Sequence, residues 1–155
     1  MKIITTTLAL IITTALTQFA SAENAQLSYD LFGVVATHDK DGDDGNALGI
    51  GLGVNYFFSD QMGVGLDTYT DGIRLPYMLN ASFIYRFIND GMFKPYAFTG
   101  LGKQWDHASQ WTGHIGGGAQ YDWKSGMGLF ADARFVLAQE ESNYGLFRLG
   151  VRWGF

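Results

Sequence analysis

The stretch that decides the fold is "GLFRLGVRWGF", residues 145–155. Phe147, Leu149, Val151, Trp153 and Phe155 alternate there with Arg148, Gly150, Arg152 and Gly154. Strict alternation puts each set on its own face of a β-strand. One face is continuously apolar, and the other mixes guanidinium groups with glycine. A solvated strand face would carry Lys, Glu and Thr densely, which this one does not. Two environments fit such a strand. The apolar row faces a soluble core in one, and faces lipid with the arginines enclosed in the other.

The pattern recurs along the chain. In "RLPYMLNASFIYRF" (74–87), Leu75, Tyr77, Leu79, Ala81, Phe83, Tyr85 and Phe87 alternate with Arg74, Met78, Asn80, Ser82 and Arg86. In "GMGLFADARFVL" (126–137), Met127, Leu129, Ala131, Ala133, Phe135 and Leu137 alternate with Gly128, Phe130, Asp132, Arg134 and Val136. In "ALGIGLGVNYFF" (47–58), the row from Leu48 to Phe58 alternates with Gly49, Gly51, Gly53 and Asn55. Every arginine of the chain (Arg74, Arg86, Arg134, Arg148, Arg152) falls on a polar row, as do Asp30, Asp67 and Asp132. Small residues with sparse charges of both signs suit the crowded interior of a narrow barrel. Charges enclosed there must be paired, because an isolated one is costly to desolvate.

Turn-forming clusters punctuate the strands at 38–46, 58–61, 69–72, 88–94, 106–109, 123–126 and 139–143, which leaves eight strands. Each is long enough to cross a bilayer, since a tilted strand needs roughly 9–11 residues. Aromatic residues gather at the strand ends. With the N-terminus inside, Tyr56, Phe57, Phe58, Tyr85, Phe87, Phe93, Tyr96, Tyr121, Trp123, Trp153 and Phe155 form an inner girdle. Tyr69, Tyr77, Trp105, Trp111 and Tyr144 form an outer one. Amphipathic rings sort by height at headgroups and have no reason to do so in a soluble barrel.

Composition agrees. Charged residues make up 16%, below the roughly 25% usual in soluble domains. The chain has no cysteine, which excludes disulfides, thiolate metal sites and a lipid-accepting Cys. Its net charge of −5 argues against nucleic acid as a partner. Residues 1–22, with Lys2, an apolar run and Ala20-Ser21-Ala22, have the layout of a cleavable secretory signal. Residues 23–155 then form one domain. The expected fold is an all-β, eight-stranded, antiparallel up-and-down transmembrane barrel, with no cofactor.

Over residues 23–155 the chain resembles the small eight-stranded outer-membrane β-barrel proteins, the OmpA/OmpX-like group. The features that carry the resemblance are the signal, "KPYAFTGLGKQW" (94–105), "GGGAQYDWKSGMGLFADARF" (116–135) and the C-terminal strand closing on Phe155. The resemblance implies a monomer in the outer membrane, in contact with its lipids and with lipopolysaccharide. It also implies that Trp153 and Phe155 form the signal read by the barrel assembly machinery. No periplasmic wall-binding domain is expected after Phe155. The role so implied is structural, in envelope integrity or surface interaction.

Several residues invite other readings. Asp39, Asp41 and Asp43 have the spacing of a calcium loop, but Asp44 stands where the turn glycine is needed and Ile50 where the closing Glu belongs. A solvated acidic loop is the plainer reading. With Asp71, Asp106, Glu140 and Glu141, this loop would ring the outer mouth and bridge through divalent ions to lipopolysaccharide phosphates. Asp30, Asp67, Asp132, Arg74, Arg86, Arg134, Arg148 and Arg152 form either a structural plug or a narrow proton or water path. Eight strands leave an interior that side chains fill, which favours the plug. His107 and Ser109, with Glu140, are similar in type to the His-x-Ser pair and Glu of small barrels that deacylate lipid A. Gln110 departs from the Asn of that pattern. His114, among glycines, reads as a buried hydrogen-bonding residue. The phase of residues 96–105 stays open: placing Lys103 inside turns Gly100 and Gly102 to lipid, where Gly113 and Gly117 would extend a thin patch. A soluble periplasmic ligand-binding barrel is the remaining alternative.

Overall fold

A computed structural model describes residues 26–37, 47–70, 78–87, 91–105, 109–124, 126–139 and 143–154. The strands are β1 (Gln26–Thr37), β2 (Ala47–Phe57), β3 (Met62–Tyr69), β4 (Met78–Arg86), β5 (Phe93–Trp105), β6 (Ser109–Lys124), β7 (Met127–Ala138) and β8 (Tyr144–Gly154). Each pairs antiparallel with its sequence neighbour, and β1 pairs with β8, from Ser28↔Gly154 to Thr37↔Gly145, to close the barrel. Closure leaves no unpaired strand edge, the condition a sheet must meet where water cannot satisfy its backbone. The eight-stranded up-and-down barrel expected from the alternation is the fold found.

The two rows of β8 fall as the lipid reading requires. Leu149 points outward and is 65% exposed, while its neighbour Arg148 points inward and is 7% exposed. The wall around it repeats this, with Leu48, Ile50, Leu52, Leu66, Phe83, Leu101, Ile115, Phe135 and Phe147 all exposed. An apolar belt of this extent does not persist in water. The soluble-barrel alternative therefore fails. This wall meets hydrocarbon, and strands make the crossing, since no helix among the described residues is long and apolar enough to do so.

The interior alternates large and small side chains, as a narrow barrel must. Gly150 lies where a Cβ would overlap the Leu31 carbonyl and the Phe32 side chain. Gly116 likewise makes room for the Phe98 ring. Gly126, at φ +74°, lets the β6–β7 turn reverse tightly, and its carbonyl accepts the Gly154 N–H at 2.8 Å.

Four aromatics depart from the girdles. Phe57, Tyr69, Tyr96 and Tyr144 are buried inside the barrel. A strand end fixes the height of a side chain but its parity fixes the face, and these four stand on inward positions. The phase of β5 is also settled. Tyr96, Phe98, Gly102 and Gln104 are buried. Lys103 turns outward, 4.9 Å from the centre of the Trp111 ring. Gly100 and Gly102 thus face the interior, against His114 and Thr112, so the patch of lipid-facing glycines does not include them. The signal segment, Asp39, Asp41, Asp43, Asp71, Arg74, Asp106, His107, Glu140, Glu141 and Phe155 lie outside the described residues.

Candidate functional site

The polar interior is the place where this chain concentrates its chemistry. Antiparallel register brings Asp30 on β1 directly opposite Arg152 on β8, and Asp132 on β7 opposite Arg148 on β8. Both pairs are two-pronged. Arg152 donates to Asp30 through Nε and Nη2, each at 2.7 Å. Arg148 donates to Asp132 through Nε at 2.8 Å and Nη2 at 2.9 Å. The planar guanidinium matches a carboxylate in this geometry, which lysine could not do. A third pair spans the lumen: Arg134 on β7 reaches Asp67 on β3, Nη2 to Oδ1 at 2.8 Å. Arg148 Nη1 also lies 3.2 Å from Asp67, which links the second pair to the third.

Neutral side chains complete the carboxylates. Asn55 donates to Asp30 and Asn80 to Asp67, both at 2.9 Å, and the Tyr96 hydroxyl donates to Asp132 at 2.7 Å. Gln120 accepts from Arg152 at 3.0 Å. Aromatic faces fill the gaps between charges. The Arg148 guanidinium lies 4.9 Å from the Phe32 ring centre, Arg152 4.8 Å from Phe130 and Arg134 5.2 Å from Phe98. Three carboxylates thus meet three guanidiniums in a column with no net charge. Such a column ties β1, β3, β7 and β8 together through enclosed ion pairs.

Toward the outer end the charges give way to apolar side chains mixed with neutral polar ones, Gln104, Gln110 and Thr112 among them. Tyr69 and Tyr144 donate to the Met78 sulfur at 2.8 and 3.5 Å, packed with Val136 and Leu146. Beside it, Ser82 Oγ and His114 Nε2 are 2.9 Å apart, so His114 is the buried hydrogen-bonding residue expected of it. At the inner end the filling stops. A cavity of about 740 Å³ opens there, bordered by Gln26, Ser28, Arg86, Lys94, Gln120 and Asp122. Lys94 and Asp122, on neighbouring strands, pair at its rim at 2.7 Å.

Of the interior residues singled out in the sequence, Asp67, Asp132, Arg134 and Arg148 join in one ion-paired network, and Asp30 and Arg152 form a separate pair that meets it through the Tyr96 and Phe130 rings. Arg86 faces the interior but stands apart, at the inner mouth, with its Cζ 3.3 Å from the Phe57 ring centre. Arg74 is outside the described residues. Trp153 is half-buried and sits opposite Tyr29 and Met127 on the outward row. Ser109 is exposed on the outward row of β6. Its two proposed companions, His107 and Glu140, are outside the described residues. Among the described residues, no three His, Asp or Glu side chains converge on a metal-sized site. Tyr96 is the network member that sequence reasoning placed elsewhere. Its inward parity was the available signal, and the unsettled phase of its strand concealed it.

No protein-family model matches the sequence, and no curated protein matches it. Solved structures do. The N-terminal β-barrel domain of Pseudomonas aeruginosa OprF is 19% identical, with a TM-score of 0.68 over 84% of this chain and 97% of that one. Neisserial surface protein A (NspA) is 17% identical, with a TM-score of 0.62 over the same shares. A de novo designed transmembrane β-barrel is 15% identical, with a TM-score of 0.60 over 83% of this chain and 95% of that one. The chain therefore has the fold of small outer-membrane barrels. A designed protein with this fold shows why the fold alone carries no particular task.

Proposed function

We propose that the protein is an integral outer-membrane barrel, a monomer whose role is non-enzymatic and structural, in envelope integrity or surface contact. The observation that carries this reading is the neutral, side-chain-filled Asp–Arg column inside an apolar wall. A channel would need a wider lumen or a line of uncompensated charge, and a catalyst would need a nucleophile and base open to substrate, whereas Ser82 and His114, 2.9 Å apart, are both buried in the filling. Its partners would be outer-membrane lipids and lipopolysaccharide, the latter through divalent ions held by the acidic residues of the outer loops. The barrel assembly machinery would read Trp153 and Phe155 during biogenesis.

The test is reconstitution together with loss of function. Purified protein in planar bilayers is expected to pass no stepwise current and to release no acyl chains from lipid A. Cells lacking it are expected to take up more of a hydrophobic dye, with recovery on re-expression. Discrete conductance steps, or acyl release lost in Ser109→Ala, would overturn the reading. If binding to lipopolysaccharide survives chelators unchanged, the divalent bridge is wrong.

A further inference from the structure

We propose that the cavity at the inner mouth is a binding site for a phosphate group, held by Arg86. The charge balance of the interior points there. Each of the three deeper arginines has a carboxylate partner: Arg152 has Asp30, Arg148 has Asp132 and Arg134 has Asp67. Lys94, on the rim of the cavity, is matched by Asp122. Arg86 differs. Among the described residues it forms no ion pair: Asp122 and Asp30 attract it only from a distance and are each paired elsewhere, and its side-chain polar contact is a 3.4 Å hydrogen bond from Nη1 to Gln26 Oε1.

Its geometry is that of a presented group. The guanidinium Cζ lies over the Phe57 ring, itself 1% exposed, 3.3 Å from its centre, so a fixed wall backs the group on one side. A ring contact uses none of the guanidinium N–H donors, so those beyond the Gln26 bond are available to a ligand. Arg86 borders the cavity, with Gln26 and Lys94. The Gln26 amide accepts from Arg86 through its oxygen, so its NH₂ can donate to a shared ligand. Among the described residues, the cavity lining carries one positive charge more than its pairs cancel. In a mouth walled by protein and surrounded by lipid, that excess is screened less than on an open surface. A phosphate suits the fork geometry and supplies the missing negative charge. Its volume of about 740 Å³ accepts either free phosphate or the headgroup of a phospholipid bent in at the rim.

The experiment uses the full barrel, folded in a maltoside detergent that contains no phosphate. Inorganic phosphate is titrated at constant ionic strength against chloride while backbone amide shifts are followed by NMR. The expected result is a saturable shift at Gln26, Ser28 and Gln120, with the amides of the outer-end residues Tyr69 and Tyr144 unmoved. Arg86→Gln should weaken the apparent affinity about tenfold or more. Arg86→Lys, which keeps the charge but not the fork, should fall between. Nanodiscs separate the sources. If anionic phosphatidylglycerol abolishes the response seen in phosphatidylcholine, the ligand is a lipid headgroup; if the response survives, it is a free phosphate. Shifts that rise without saturation, that chloride reproduces, or that Arg86→Gln leaves unchanged would overturn the proposal.

Discussion

Replacing Asp30 by Ala removes one half of an enclosed charge pair at the seam that closes the barrel. Asp30 and Arg152 side chains are each 4% exposed. They are joined by two bonds of 2.7 Å, and Asn55 donates to the same carboxylate at 2.9 Å. Unit charges about 4 Å apart attract by roughly 4 kcal/mol at an effective dielectric of 20. The intact pair offsets with that attraction the cost of leaving water, so its net contribution is small. Asp30→Ala keeps the cost for Arg152 and deletes the compensation, which is worth about 3–5 kcal/mol. Gln120 still accepts from Arg152 at 3.0 Å, and the inner cavity borders it, so the lower end of that range is expected. Asp30→Leu combined with Arg152→Met removes both charges and should recover most of the loss, because no uncompensated charge remains. Urea unfolding in lipid vesicles, followed by tryptophan fluorescence, measures each variant, and a double-mutant cycle isolates the pair. Mobility of unboiled samples on a gel counts the folded fraction independently. The reasoning fails if Asp30→Ala costs under about 1 kcal/mol, the value of a solvated surface pair. It fails equally if the double variant is as unstable as the single one.

Other substitutions probe the wall and the packing. Leu149→Arg, near the middle of β8 on the outward row, should cost about 2–4 kcal/mol of folding free energy in lipid, whereas Leu149→Phe should be tolerated. Equal stabilities from unfolding curves would contradict a hydrocarbon-facing wall. Gly118→Ala should destabilise by at least about 1 kcal/mol, the scale of overpacking, because its Cβ would overlap Asp132 and the Ala131 carbonyl. Gly113→Ala, with nothing within 4 Å of its Cβ position, should not. The same unfolding assay separates the two. Ser109→Ala should leave stability and lipid content unchanged, checked by mass spectrometry of lipid A after incubation with the barrel.

The strands and their facing were legible because both depend on nearest neighbours in sequence. The order Phe147, Arg148, Leu149 sets opposite faces whatever the partner strand is. Phase was hardest to read where glycine erased the contrast. In "FTGLGKQW" (98–105), Gly100 and Gly102 resemble neither a lipid row nor a polar one, and Lys103 suggested the wrong side. In the folded chain Lys103 runs along the wall to Trp111, a cross-strand neighbour on β6, which lets its ammonium sit beside an aromatic face near the outer end. The aromatics were misjudged for the converse reason. Tyr96 has the height of a girdle residue but the parity of an interior one, and inside it finds Asp132.

By itself, the sequence determined the number of strands, their antiparallel order, and, outside β5 and the four enclosed aromatics, which face of each strand would be enclosed. Alternation and turn chemistry are local properties and survive any arrangement of the rest. Which acid meets which base was decided by tertiary structure alone. Arg152 and Asp30 are 122 positions apart, and Arg134 and Asp67 are 67 apart across the lumen. Those pairings depend on the stagger with which eight strands close on themselves, a quantity that no local pattern encodes. The same closure left Arg86 at the mouth, outside ion-pair distance of the three buried acids, although its row in the sequence looks like the others.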